Sequence, residues 1–224
     1  SFRELLSVAV PLILSSGSLS LMHITDRVFL TWHSSDALAA STPAGMLHWT
    51  MMSLTIGTLT YVNTFVSQYE GAGQPHRVAA ALWQGIYLAI GAGLFFFLLT
   101  PLSPAIFAIV GHSPEVQALE VEYFSVMCRG SIPFTLATVL SCFYSGRGDN
   151  LTVMYVNFAA VAMNACLDWA MIFGAGPIPS MGMRGAAIAS VLSSCFTAGA
   201  FIFLLSRPGV QTRYGVWRNR GFDA

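Results

Sequence analysis

Six long apolar runs joined by short polar turns account for nearly all of residues 5–205, and few folds accommodate that pattern. The runs extend from about Leu5 to Thr31, Leu38 to Gln68, Val78 to Val110, Val116 to Tyr144, Leu151 to Phe173 and Arg184 to Leu205. A helix rises about 1.5 Å per residue and the hydrocarbon of a bilayer is about 30 Å thick, so roughly 20 mostly apolar residues span it. Every run is long enough. Charged residues make up only 9% of the chain, against about 25% in a soluble domain. They gather in the turns because a charge in hydrocarbon is costly. The expected fold is an all-α integral membrane protein, a six-helix transmembrane bundle.

The turns are rich in Gly, Pro, Ser and Asn, and Asp36 and Asn150 stand where N-caps belong. Pro101 and Pro104 are expected to end the regular part of the third run, and Pro11, Pro43 and Pro133 to kink the first, second and fourth. All ten cationic side chains are Arg. With a cytoplasmic N-terminus, the inner side carries Arg3, Arg77, Arg147, Arg207, Arg213, Arg218 and Arg220, and the outer side only Arg184. Positive residues stay inside, so both termini are expected in the cytoplasm. Residues 1–206 form the lobe, and 207–224 read as a cytoplasmic linker or a truncated loop. A chain that begins without Met and ends in a polar tail is expected to belong to a longer protein.

Several function classes fall away. No basic cluster is large enough to displace counterions from a nucleic acid. No Gly-rich phosphate loop and no paired His-Glu metal motif appears, so neither an ATPase nor another enzyme is expected. Cys128, Cys142, Cys166 and Cys195 lack redox or metal spacing and read as small buried hydrophobes.

The informative residues are the polar ones inside the runs. Asp26 in the first run and Asp168 in the fifth each lie about six residues from the outer end, roughly 9 Å deep. Tyr123 in the fourth run and Ser190 in the sixth enter from outside to a similar depth. Alternating helix directions therefore place four polar side chains in one layer. Asn157, Asn164 and Asp168 share one face of the fifth helix, a stripe that belongs against a cavity rather than lipid. Two carboxylates in a low-dielectric cavity share protons or hold a cation, and neutral oxygens complete the shell. His23 lies one turn before Asp26, and His48 and Trp49 lie inside the second run. These three are candidates for cavity lining, weighed against plain helix packing. Glu120 and Glu122 read as interfacial, and Arg129 as needing a carboxylate or carbonyl partner.

These stretches resemble the N-terminal half of the multidrug and toxic compound extrusion (MATE) family. The resemblance rests on Thr25-Asp26-Arg27-Val28-Phe29, Gln68-Tyr69-Glu70-Gly71-Ala72-Gly73, Ser145-Gly146-Arg147-Gly148-Asp149-Asn150, Asn164-Ala165-Cys166-Leu167-Asp168 and Met181-Gly182-Met183-Arg184-Gly185-Ala186. It implies one lobe of a two-lobed, twelve-helix exporter in a bacterial or archaeal plasma membrane. Such a protein extrudes small amphipathic or cationic organic compounds in exchange for Na+ or H+, with no other cofactor. The second lobe would come from the same longer chain or from dimerisation. The family's N-lobe ion site carries over to Asp26, Asn164 and Asp168, with Tyr123 and, in place of a Thr, Ser190. Asp26, Asn164 and Asp168 would then be the Na+ ligands. Two alternatives stay open: a lipid-linked oligosaccharide exporter of similar architecture, and a membrane scaffold subunit that transports nothing.

Overall fold

The computed structural model describes residues 2–177 and 179–218. The side chains of Arg3, Pro11 and Asp36, and residues 219–224 with Arg220, lie outside the described residues. The helices are α1 (Phe2–His33), α2 (Ser35–Gly71), α3 (Pro75–Leu99), α4 (Ser103–Ala108), α5 (Pro114–Arg129), α6 (Ser131–Gly146), α7 (Asn150–Phe173), α8 (Gly182–Leu205) and α9 (Pro208–Tyr214). A 3-10 turn over Thr100–Leu102 joins α3 to α4, so the expected break at Pro101 and Pro104 is present.

By length and composition alone, α3 running on through α4, α7 and α8 are apolar enough to cross a membrane. The pair α5 and α6, bent by 48°, makes a fourth such span. At 37 residues, α2 is longer but diluted by polar side chains, and α1 runs for 32 residues with no charged residue between Leu5 and Met22. In α2, Ser53, Thr58, Thr60 and Ser67 return their hydroxyls to carbonyls three or four residues back. That satisfies the hydroxyls within the helix.

Four local expectations need correction. The fourth run is two helices, not one. Pro133 offers no N–H to the Arg129 carbonyl, and at Gly130 a Cβ would lie 2.1 Å from Val191 Cγ2, so the bend lets α8 press against bare backbone. Asn150 is the first residue of α7, and its cap is Asp149, which accepts from the Thr152 N–H at 3.3 Å. At the start of α2, Ser34 Oγ takes the Ala37 N–H at 3.5 Å. Only Cys128 and Cys142 are buried, while Cys166 and Cys195 lie on the bundle surface, where a small apolar side chain faces lipid without penalty.

Two hydrophobic cores occupy opposite ends of the bundle. One joins Leu59, Leu82, Leu140, Phe143, Phe201 and Leu205 of α2, α3, α6 and α8. The other joins Leu30, Met52, Phe96, Phe107, Phe124 and Ile172 of α1 to α5 and α7. In the bundle, α1 packs chiefly on α7, α7 on α8, and α8 on α5 and α6. The first, fourth, fifth and sixth runs are thereby brought together, as one shared polar layer requires.

The segment after α8 folds back on the bundle. Trp83 Nε1 donates to the Val216 carbonyl at 2.6 Å, and Gln211 Nε2 to the Leu205 carbonyl at 2.6 Å. The Tyr214 hydroxyl donates to the Glu70 carboxylate, lying 3.0 and 2.9 Å from its two oxygens, and Arg213 forms an ion pair with the same group. Burial, and next the bond to Glu70, raise the Tyr214 pKa above the usual phenol value, so it stays a donor. Tyr214→Phe is expected to lower stability by about 1.5–3 kcal/mol, the range of a hydrogen bond to a charged group. Arg213, with a side chain 64% exposed, is expected to contribute less than about 1 kcal/mol. Unfolding of the two variants in detergent tests this. A greater loss from Arg213→Gln would mean that the ion pair, not the phenol, holds the segment.

Candidate functional site

The face of α7 turned into the bundle is Val153, Val156, Ala160, Asn164, Asp168 and Ile172, spaced at three or four residues. Helical periodicity therefore carries Asn164 and Asp168 inward, and both are 0% exposed. On α8, Ser190 and Ser193 are buried, and Ser193 Oγ donates to the Ala160 carbonyl at 2.8 Å, tying α8 to α7. On α1, Asp26 is buried whereas its neighbour Arg27 is exposed. Adjacent helical residues point apart, which removes Arg27 as the natural partner of Asp26.

The three helices converge on one cluster. The Asn164 carboxamide lies between the two acids. With its orientation set by hydrogen bonding, its nitrogen is 3.1 Å from Asp26 Oδ1 and 3.2 Å from Asp168 Oδ2. The Asp26 carboxyl lies beside that of Asp168 and near the Ser190 side chain, close enough for both to bear on its charge. Tyr123 of α5 is partly buried and close enough to feel both acids electrostatically. One buried atom remains unpaired: Asp168 Oδ1 has no hydrogen-bond partner in the protein.

Two carboxyls side by side cannot both be charged without a third party. A shared proton or a bound cation resolves the repulsion. The oxygen donors are two carboxylates and a hydroxyl, with the Asn164 nitrogen bridging the acids. They suit a hard cation or a proton rather than a soft metal.

The other singled-out residues lie apart. His23 is exposed, meets Trp49 edge to face with ring centres 5.8 Å apart, and lies near enough to act on the Asp26 charge. Trp49 is exposed and contacts Phe134, while His48 turns the opposite way, into the core between Phe96 and Phe124. Its Nε2 has no partner. Asn157 is partly buried two turns along α7 from Asn164. Arg129 is exposed at the C-terminal end of α5, facing a cavity with Thr100, Ser103 and Ser125. The free carbonyls of a helix end favour a cation there.

Glu120 corrects the interfacial reading. It is fully buried, and its Oε1 is 2.8 Å from His112 Nδ1. The available signal was His112, eight residues earlier in the turn. Glu122 does stay near the surface, 3.5 Å from Arg184 of α8.

The family model described as MatE matches residues 11–170. A relative named as a probable multidrug resistance protein NorM, from Thermotoga maritima, is 31% identical over 216 residues. The match takes in 96% of this chain and 47% of the relative. A protein of the same name from Agrobacterium fabrum is 29% identical, over 95% of this chain and 44% of its own. The chain thus spans about half the length of the curated relatives it matches. Among solved structures, an outward-facing multidrug resistance MATE family transporter superposes with a TM-score of 0.81 at 20% identity, over 89% of this chain and 44% of that one. A MOP superfamily transporter from Pyrococcus furiosus gives 0.81 at 20%, over 89% and 43%. At that identity the likeness establishes the fold.

Proposed function

The chain belongs to the MatE family, and on that premise we propose that the complete protein is a multidrug efflux antiporter. It exports small amphipathic or cationic organic compounds in exchange for Na+ or H+. This chain supplies one six-helix lobe, residues 207–224 begin the connection to a second, and both ends of the lobe face the cytoplasm of a bacterial or archaeal cell.

The observation that carries this reading is the buried contact of Asp26 with Asn164 and Asp168. It joins α1 to α7 through groups whose repulsion depends on what they hold. With a cation or proton between them, the carboxyls draw the two helices together. Without it, their repulsion favours a shift of α1, which packs chiefly on α7. Exchange follows if substrate binds the form that the ion disfavours. Tyr123 and Ser190 supply neutral oxygens that orient the carboxyls.

The test is efflux of a fluorescent organic cation from proteoliposomes holding the complete protein, driven in turn by a sodium and a proton gradient. One gradient is expected to drive efflux, and Asp26→Asn to abolish it. No efflux under either gradient from folded protein would remove the transporter reading. Efflux that survives Asp26→Asn would place coupling elsewhere.

A further inference from the structure

At the end of the bundle remote from the acid cluster, Arg147, Arg207 and Arg213 face one cavity of about 500 Å³ beside Tyr214. Arg147 follows the last residue of α6, and its side chain is only 13% exposed. Its guanidinium is held by rings, 4.5 Å from the centre of Phe143, 4.8 Å from Tyr214 and 5.2 Å from Tyr144. Rings engage the flat faces of a guanidinium. Its N–H groups point outward in the plane and need acceptors there. Asp149 comes no closer than 4.0 Å to Nη2, and the buried Nε and Nη1 have no acceptor in the protein. A buried donor set left open in a native fold calls for a partner.

The charges around the cavity define that partner. Arg213 is engaged by Glu70, and Arg147 is loosely opposed by Asp149. Arg207 is exposed and has no ion-pair partner among the described residues. Three cations against two carboxylates leave the cavity positive. Nε and Nη1 lie on different edges of the guanidinium, each edge shared with Nη2, and each is left to donate to an anion oxygen. The cavity also sits where α6 and α8 end and the chain turns, at the level of the headgroups for helices that span a bilayer. Basic pockets in that position bind phosphate headgroups.

We propose that Arg147, Arg207 and Arg213 form a binding site for a phosphate ester, with Arg147 as the ring-held cation and Arg207 as the exposed second cation. The site is independent of the efflux reading and is tested by binding alone. Delipidated complete protein is titrated with phosphatidylglycerol, with phosphatidylcholine and with inorganic phosphate, and retention is read by native mass spectrometry and calorimetry. Arg207→Gln is the informative variant, because that side chain is exposed and forms no ion pair among the described residues. Phosphatidylglycerol is expected to bind more tightly than phosphatidylcholine, and Arg207→Gln to weaken it about fivefold, the contribution of one Arg at a membrane surface. Binding of inorganic phosphate with the same dependence on Arg207, and none of lipid, would assign the site to a soluble phosphate ester. Equal retention of both lipids without phosphate binding, or binding unchanged by Arg207→Gln, would overturn the proposal.

Discussion

Asp168→Asn in the complete protein is expected to reduce gradient-driven efflux by about 100-fold or more while leaving the lobe folded. Asp168 is fully buried, its Oδ2 meets Asn164, and its Oδ1 has no hydrogen-bond partner in the protein. Asn has nearly the same shape, so packing is retained, but it presents neither a negative charge nor an exchangeable acid proton. Removing one partner of a buried charged contact costs about 3–5 kcal/mol, and each 1.4 kcal/mol is a factor of about ten. A change of about 100-fold in ion affinity therefore lies at the low end. Stability should move the other way. Without its ion, the wild-type pair confines two acids in one buried site, and neutralising one relieves that repulsion. A thermal midpoint equal to or above wild type, together with lost efflux, is the expected signature. Ser190→Ala removes only a neutral oxygen and should lower efflux by roughly threefold to tenfold, the worth of one hydrogen bond. Asp168→Asn protein that is folded and pumps at the wild-type rate would show that coupling does not pass through this cluster.

The acid cluster was legible because a membrane makes polarity expensive. Asp26 and Asp168 stood out against their surroundings, and counting residues from the run ends placed them at one depth. The spacing of Asn164 and Asp168 put both on one face, and the structure turns that face inward. Depth and face are one-dimensional properties of a helix, so a sequence carries them. Which helices meet is not such a property. That α1 packs chiefly on α7 rather than on its neighbour α2 depends on the summed shape of several faces. The same limit explains Glu120, whose depth suggested an interface. Its burial depends on a loop that brings His112 over it. The opposite facing of His48 and Trp49 was implicit in helical geometry, but which of them turns to the core depended on Phe96 and Phe124, far along the chain. The break between α5 and α6 was half visible. Pro133 announced a kink, whereas the depth of the bend follows from Val191 lying against Gly130.

Gly185→Ala is expected to destabilise the lobe by about 3 kcal/mol, the upper range for overpacking a close-packed contact. A Cβ at Gly185 would lie 2.6 Å from the Met171 carbonyl oxygen and 2.7 Å from its carbon. The obstacle is backbone, so no side-chain rotation relieves it. The same carbonyl accepts the Met181 N–H at 2.8 Å, which closes the turn between α7 and α8. The methyl group therefore forces the two helices apart at the point where the chain reverses. Met171 is less than one turn beyond Asp168, so the displacement also reaches the acid cluster, and residual folded protein should lose efflux as well. The control is Gly91→Ala on α3, where a Cβ meets nothing within 4 Å and the surrounding Leu88, Leu94 and Phe95 are exposed. There the substitution exchanges a poor helix former for a good one and should be neutral or stabilising by up to about 1 kcal/mol. Thermal unfolding of the two variants in the same detergent decides the matter. Similar midpoints would mean that α7 and α8 have slack at their closest approach, and that the position of Asp168 does not depend on that contact.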